Sequence, residues 1–159
     1  MAAMTTPSVS LQEQWAPRNR CFGCGPANEA GLRIRSFPDG EDVVCRWTPQ
    51  ERHEAFSGFL NGGVIGALFD CHGNWTAIHH WMKSQGLAEA PCSVTSELHV
   101  SFKRPTPSRG ELLLRARVNE AKADRAVVEG SMQAGGEVTA TFRATNVVVR
   151  EGHPAFHRW

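Results

Sequence analysis

The sequence predicts an α+β fold in which an antiparallel, curved sheet of about six strands wraps around one long central helix. Three observations predict it. A single long segment carries apolar residues at helical spacing, the segments on either side of it alternate with a period of two, and short polar turns link the later ones. With no second long helix to act as a crossover, consecutive strands must run antiparallel. At 159 residues the chain suits one domain with a real core.

Residues 1–20 are polar, contain two prolines and show no clear period, so a loosely held N-terminal arm is expected there, followed by the main domain over residues 21–150. Leu32, Ile34 and the run Asp42 to Trp47 read as two short strands joined by a turn at Phe37-Pro38-Asp39-Gly40. After a loop of polar and small residues, Ile65, Leu68, His72, Trp75, His79 and Met82 recur at three- and four-residue spacing. That pattern predicts a helix from about Gly62 to Ser84, capped by Asn61 and ended by Gly86.

From Ser93 the period becomes two. Val94, Ser96, Leu98, Val100 and Phe102 share one face of a strand that Pro105 and Pro107 stop. Three further strands are expected at Glu111 to Asn119, Arg125 to Ala134 and Glu137 to Val149, with Gly135-Gly136 as a tight hairpin. Residues 151–159 form a surface tail in which Phe156 and Trp159 are able to dock.

Seventeen Lys and Arg against 16 Asp and Glu leave no broad basic field of the kind that drives nucleic-acid binding. The first twenty residues lack a signal-peptide core and no apolar run is long enough to span a membrane, so a cytoplasmic protein with no membrane partner is expected. Five cysteines is an odd number in a chain of this size, and reduced thiols are the default expectation. Cys21-x-x-Cys24 with Cys45, Cys71, His72 and Cys92 raises the question of zinc. No second Cys-x-x-Cys and no His-x3-His accompany it, so no metal and no other cofactor is expected.

The chemistry points to the helix. Gly63, Gly66, Ala67, Asp70, Gly73, Asn74 and Ala77 lie opposite its apolar stripe, a face of small residues around one carboxylate. Interior glycines are costly in a helix, so something approaches this face closely: a strand, a second copy of the chain or a ligand. Gly62 and Gly63 open the helix with free N–H groups and no side chains, a place where a carbonyl oxygen can gain negative charge. Gly63 and Asp70 stand roughly 10 Å apart along the axis, too far for one small carbonyl to reach both within a chain. A two-fold dimer that sets the helix start of one copy beside the acid of the other would solve this.

These residues also carry a resemblance. The chain resembles the hotdog-fold acyl-CoA thioesterases of the PaaI-like (4HBT) family, whose motif is His-Gly-Gly and then, after six residues, Asp or Glu. Here it reads Asn61-Gly62-Gly63 and Asp70, flanked by "CFGCGPANEAGLRIR", "HEAFSGFLNGG" and "SVTSELHVSFKRPTP". The resemblance implies a homodimer or homotetramer that hydrolyses an acyl thioester to a carboxylic acid and free coenzyme A. It also implies that Gly63 N–H polarises the thioester carbonyl, that Asp70 of a neighbouring subunit is the base or nucleophile, and that Thr95 stands where some members position the water.

Asn61 replaces the usual His; its amide is able to donate a hydrogen bond but not to titrate near neutral pH. By simple alternation Thr95 points away from Leu98, unless a bulge or a dimer interface turns it toward the site. Gly62 and Asn74 are expected at the substrate, and Lys103, Arg104 and Arg109 near the phosphates of coenzyme A. His72 and His79 read as core or interface residues rather than catalysts. Cys71 beside Asp70 reads as a poor nucleophile, because the neighbouring charge would raise its pKa. A non-catalytic acyl-thioester binder stays open as the alternative, as does, more remotely, a hotdog dehydratase.

Overall fold

The computed structural model describes residues 8–157. Strands β1 (Phe37–Asp39), β2 (Asp42–Trp47), β5 (Ser93–Phe102), β6 (Leu112–Ala121), β7 (Arg125–Ala134) and β8 (Glu137–Val148) form a six-stranded sheet in the order β1-β2-β6-β7-β8-β5, antiparallel at every step. The long helix α2 (Gly62–Gln85) is buried against the inner face of this sheet through Ile65, Leu68, Phe69, Trp75, Ile78 and Trp81. Asn61 is its N-cap, and Gly86, in the left-handed conformation at φ 63°, ends it with an N–H bond to the Met82 carbonyl. A small hairpin of β3 (Glu54–Phe56) and β4 (Phe59–Leu60) precedes the helix and is tied to the rest where Leu60 N–H donates to the Thr106 carbonyl.

Three expectations change. Leu32 and Ile34 are buried but lie outside any strand; the first strand is Phe37–Asp39, and the turn falls on Gly40-Glu41, with Gly40 at φ 61°. Pro38 sits on this edge strand, where a missing N–H donor is tolerated.

The N-terminal segment is not loosely held from Ser10 onward. Helix α1 (Leu11–Trp15) carries a capping box between Ser10 and Glu13 and buries Leu11 and Gln12. Gln12 Nε2 donates to Ser36 Oγ, and the Ser36 hydroxyl meets His72 Nδ1 at 2.8 Å while His72 Nε2 meets the Val43 carbonyl at 3.0 Å. A carbonyl accepts only, so His72 carries its proton on Nε2 and takes one from Ser36 on Nδ1. This chain of buried hydrogen bonds joins α1, α2 and β2, and every member is satisfied.

The tail docks in part. His157 N–H donates to Cys92 Sγ, and Phe156 is half-buried. Trp159, like residues 1–7 of the expected arm, lies outside the described residues.

The third change is in β5. Its pairing with β8 runs Thr95 to Asn146 and then Glu97 to Thr145, so Ser96 is an extra residue. This bulge reverses the alternation. Leu98 and Val100 stay on the inner face opposite Ala144 and Phe142, but Ser93 and Thr95 now share it in place of Val94 and Ser96.

Candidate active site

Two cavities flank β5. The first, of about 630 Å³, is walled by Gly66, Ala67, Asp70, Cys71, Asn74, Trp75 and Ile78 of α2, by residues 93–98 of β5, and by Asn19, Cys21, Cys24 and Ala155. Helical spacing puts residues 66, 70, 74 and 78 on one side of α2, and the bulge turns Thr95 toward them. Asp70 is half-buried, and among the described residues its carboxylate has no hydrogen-bond or ion-pair partner. The acids on this wall are Asp70 and Glu97, and no Lys, Arg or His lines it.

Behind Asp70 runs a polar network that the sequence did not announce. Asn146 is fully buried; its Nδ2 donates to Thr95 Oγ1 at 2.9 Å and lies 3.3 Å from Asn74 Oδ1. Ser93 Oγ donates to Asn74 Oδ1, and Asn74 Nδ2 donates to the Ser93 carbonyl. Both ends of the Asn74 amide are therefore engaged, which makes it a brace between α2 and β5 as much as a wall. The Asn146 Oδ1 atom is buried without a partner, an acceptor left over beside Thr95.

The helix start lies in the second cavity, of about 810 Å³, formed by the β3–β4 hairpin, Gly62, Ile65 and residues 102–106. Gly62 lies against the Phe102 ring, which a Cβ there would meet at 3.4 Å. Lys103 and Arg104 line this cavity; Arg104 is already paired with Glu137 at 2.8 Å, and Arg109 is exposed and lines neither cavity.

The expected free N–H of Gly63 is occupied. Asn61 Oδ1 accepts from Gly63 N–H at 2.7 Å and from Val64 N–H at 3.2 Å, the ordinary geometry of an Asn N-cap. An amide whose oxygen accepts two bonds is polarised, and its Nδ2 becomes the better donor.

The small face of the helix divides into two parts with different causes. A Cβ on Gly73 would meet the Phe142 ring at 2.9 Å, and one on Gly130 of β7 would meet the same ring at 2.5 Å. Phe142 also stacks on Phe69, with ring centroids 4.5 Å apart. Gly73 is therefore a packing residue, and Ala77, fully buried, joins it. Gly66 differs: a Cβ there would meet nothing within 4 Å, and its bare surface faces the first cavity.

Of the cysteines that raised the question of zinc, three come together in space. Cys21, Cys24 and Cys71 bring their sulfurs within 4.8 Å of one another on the wall of the first cavity, whereas Cys45 and Cys92 are buried elsewhere. Hydrogen bonds from the Cys24 and Cys71 thiols push the Cys21 pKa far below its usual value, and the same contacts with Cys21 push Cys71 up. Cys71 is thus a poor nucleophile, as expected, but the main cause is its sulfur neighbours. His72 is neutral, pushed down to about 4 by burial, and is spent on the Ser36 and Val43 bonds.

The profile of the Thioesterase superfamily matches residues 57–141, from the β3–β4 hairpin into β8. Solved structures agree with this. A Thioesterase superfamily protein from Shewanella loihica PV-4 is 29% identical over 79% of this chain and 98% of its own, with a TM-score of 0.62. PaaI from the phenylacetic acid degradation operon of E. coli is 21% identical over 75% of this chain and 81% of its own, at 0.62. A thioesterase from Haemophilus influenzae is 20% identical over 77% and 84%, at 0.63. The latter two show the fold alone, and no curated protein matches. The sheet order, the enclosed helix and the matched residues together establish the hotdog fold, and the chain belongs to the Thioesterase superfamily.

Proposed function

We propose that the protein hydrolyses an acyl-CoA at a site shared between two copies, with Asp70 as general base. The observation that carries this reading is the unpartnered carboxylate on the wall of a cavity whose inner side is braced by Thr95 and Asn146. Asp70 takes a proton from water, the resulting hydroxide attacks the thioester carbonyl carbon, and the C–S bond breaks. The proton then passes to the departing thiolate, leaving a carboxylic acid and free coenzyme A. Attack by the carboxylate itself is the alternative route, through a mixed anhydride that water opens.

The oxyanion needs preorganised donors. The helix start has them: Asn61 Nδ2, with Gly63 N–H shared between its cap and the substrate. In one chain Gly62, which Asn61 and Gly63 flank in sequence, lines the second cavity beside the Phe102 end of β5, while Asp70 lines the first, beside the Ser93 end.

β5 is the outer strand of the sheet and ten residues long, an edge that a soluble protein normally covers. Pairing two copies of β5 antiparallel about a two-fold axis sets the Ser93 end of one beside the Phe102 end of the other. The acid and the helix start then meet across the interface. Phe56, Phe59 and Phe102, exposed by 77%, 43% and 59%, lie at that end and would be covered by such a contact or by the acyl chain. Lys103 meets the coenzyme phosphates, with Arg104 in support; Gly62 lets the acyl group close to the helix. Reduced thiols suit action in the cytoplasm.

Purified protein is expected to release free thiol from at least one member of a panel of short, long and aryl acyl-CoAs, and Asp70→Asn to lose at least about 100-fold in kcat with its oligomer intact. Unchanged turnover in that variant would sink the mechanism. Acyl-CoA bound without thiol release across the whole panel would favour a binding protein on the same fold.

A further inference from the structure

We propose that Cys21, Cys24 and Cys71 form a binding site for a thiophilic divalent cation, of which zinc is the type. The three sulfurs all lie within 4.8 Å of one another, and Cys21 Sγ is 3.8 Å from Cys71 Sγ. A tetrahedral site with Zn–S bonds of about 2.3 Å has an S···S edge of about 3.8 Å, so this pair already stands at the separation a shared cation needs. A disulfide would need about 2.0 Å.

Two elements build the site, and both are fixed. Asn19 Oδ1 accepts from Cys21 N–H at 2.8 Å, and Gly25 N–H closes the Cys21–Gly25 turn on the Cys21 carbonyl at 2.9 Å. Gly23 lets this turn lie directly on the helix, since a Cβ there would come within 2.3 Å of Cys71 Sγ. Any larger residue at position 23 would have to displace the third thiol from the Cys-x-x-Cys turn.

The surroundings favour a cation. The cavity wall on which all three thiols lie carries Asp70 and Glu97 and no basic side chain, and the guanidinium that does lie near, Arg35, is turned to the Cys24 and Ile34 carbonyls. Three thiolates leave one tetrahedral position for water or an exogenous donor, the arrangement of a three-ligand site rather than a closed structural one. The nearby histidine, His72, is committed to Ser36 and Val43 and is not a ligand. The inference stands independently of acyl-thioester hydrolysis.

The test uses the full chain, stripped of metal and fully reduced. Thiol titration of the metal-free protein should first count five free cysteines. Cd2+ is then added as probe, its thiolate charge-transfer absorption is followed, and Zn2+ is used in competition. One equivalent per chain is expected, with affinity falling at least about 100-fold in Cys24→Ser and in Cys21→Ser, and unchanged in Cys92→Ser. X-ray absorption of the zinc-loaded native protein keeps the test decisive if a variant fails to fold: three sulfur neighbours at about 2.3 Å are expected. Fewer than five free thiols, no stoichiometric binding, fewer than three sulfur neighbours, or equal affinity in folded Cys21→Ser would each overturn the proposal.

Discussion

Asn61 holds two jobs that can be separated by substitution. Its Oδ1 caps α2, and its Nδ2 is the donor proposed for the substrate carbonyl. Asn61→Ser keeps a good N-cap and removes the amide donor, so stability should change by less than about 0.5 kcal/mol while kcat falls by about 100-fold. Urea unfolding set beside thiol release measures both; a parallel loss of stability would make the residue a cap and nothing more. The sequence showed both the replacement of His by Asn and the cap, and that cap is what fills the Gly63 N–H which the Gly-Gly start, taken alone, leaves free.

His72 gives the molecule a pH limit. Its folded pKa is pushed down to about 4, chiefly by desolvation, while the unfolded value is about 6.5. A depressed pKa on a base means that the unfolded chain binds the extra proton first. The stability contributed by neutral His72 is therefore complete above about pH 6.5 and is lost as the pH falls toward 4, by a few kcal/mol at most. Denaturant unfolding at a series of pH values should show this acid loss, and His72→Gln, less stable throughout, should show a shallower slope over the same window. Helical spacing alone marked His72 as a core residue; the strand that holds Val43 was legible, but not its pairing with the helix, and Ser36 lies in a segment without regular structure.

At the scale of elements, the glycines of α2 answer to different neighbours. Gly73→Ala presses on the Phe142 ring and should destabilise by about 1–2 kcal/mol even after the gain in helix propensity. Gly66→Ala meets nothing in the chain and should stabilise by about 0.5–1 kcal/mol, yet lower turnover by narrowing the cavity at Asp70. Thermal unfolding and kcat/KM of the two variants decide this; a destabilised Gly66→Ala would place a close neighbour there that is not the substrate.

The long elements were readable because period and caps agreed over many residues: α2 begins at Gly62 and ends before Gly86, and β6 to β8 fall within two residues of their expected limits. Helix α1 and the β3–β4 hairpin were not, since five, three and two residues are too few to display a period. The Ser96 bulge was invisible for another reason. An inserted residue keeps the alternation of the letters while reversing the face they point to, so Thr95 reads as outward and lies inward.

At the scale of the molecule, the chain holds every proposed catalytic group but keeps them apart. The sheet ends in β1, three residues long, on one side and in the ten-residue β5 on the other. One edge is blunted by shortness and the other is left long. The two cavities lie toward opposite ends of that long edge, so the proposed pairing with a second copy would assemble a complete site twice. Among the described residues no helix is long and apolar enough to cross a membrane, and the exposed Phe56, Phe59 and Phe102 gather beside the helix start.

A site shared between chains can be restored by mixing two disabled variants. Asp70→Asn and Asn61→Ser chains are each inactive or nearly so alone, because every site contains one lesion. Co-expressed as mixed dimers, half of the dimers should hold one site with both lesions and one with none, restoring about a quarter of native turnover in a statistical mixture. Activity no higher than the average of the two separate variants would contradict the account, and would put Asp70 and the helix start at work within the same chain.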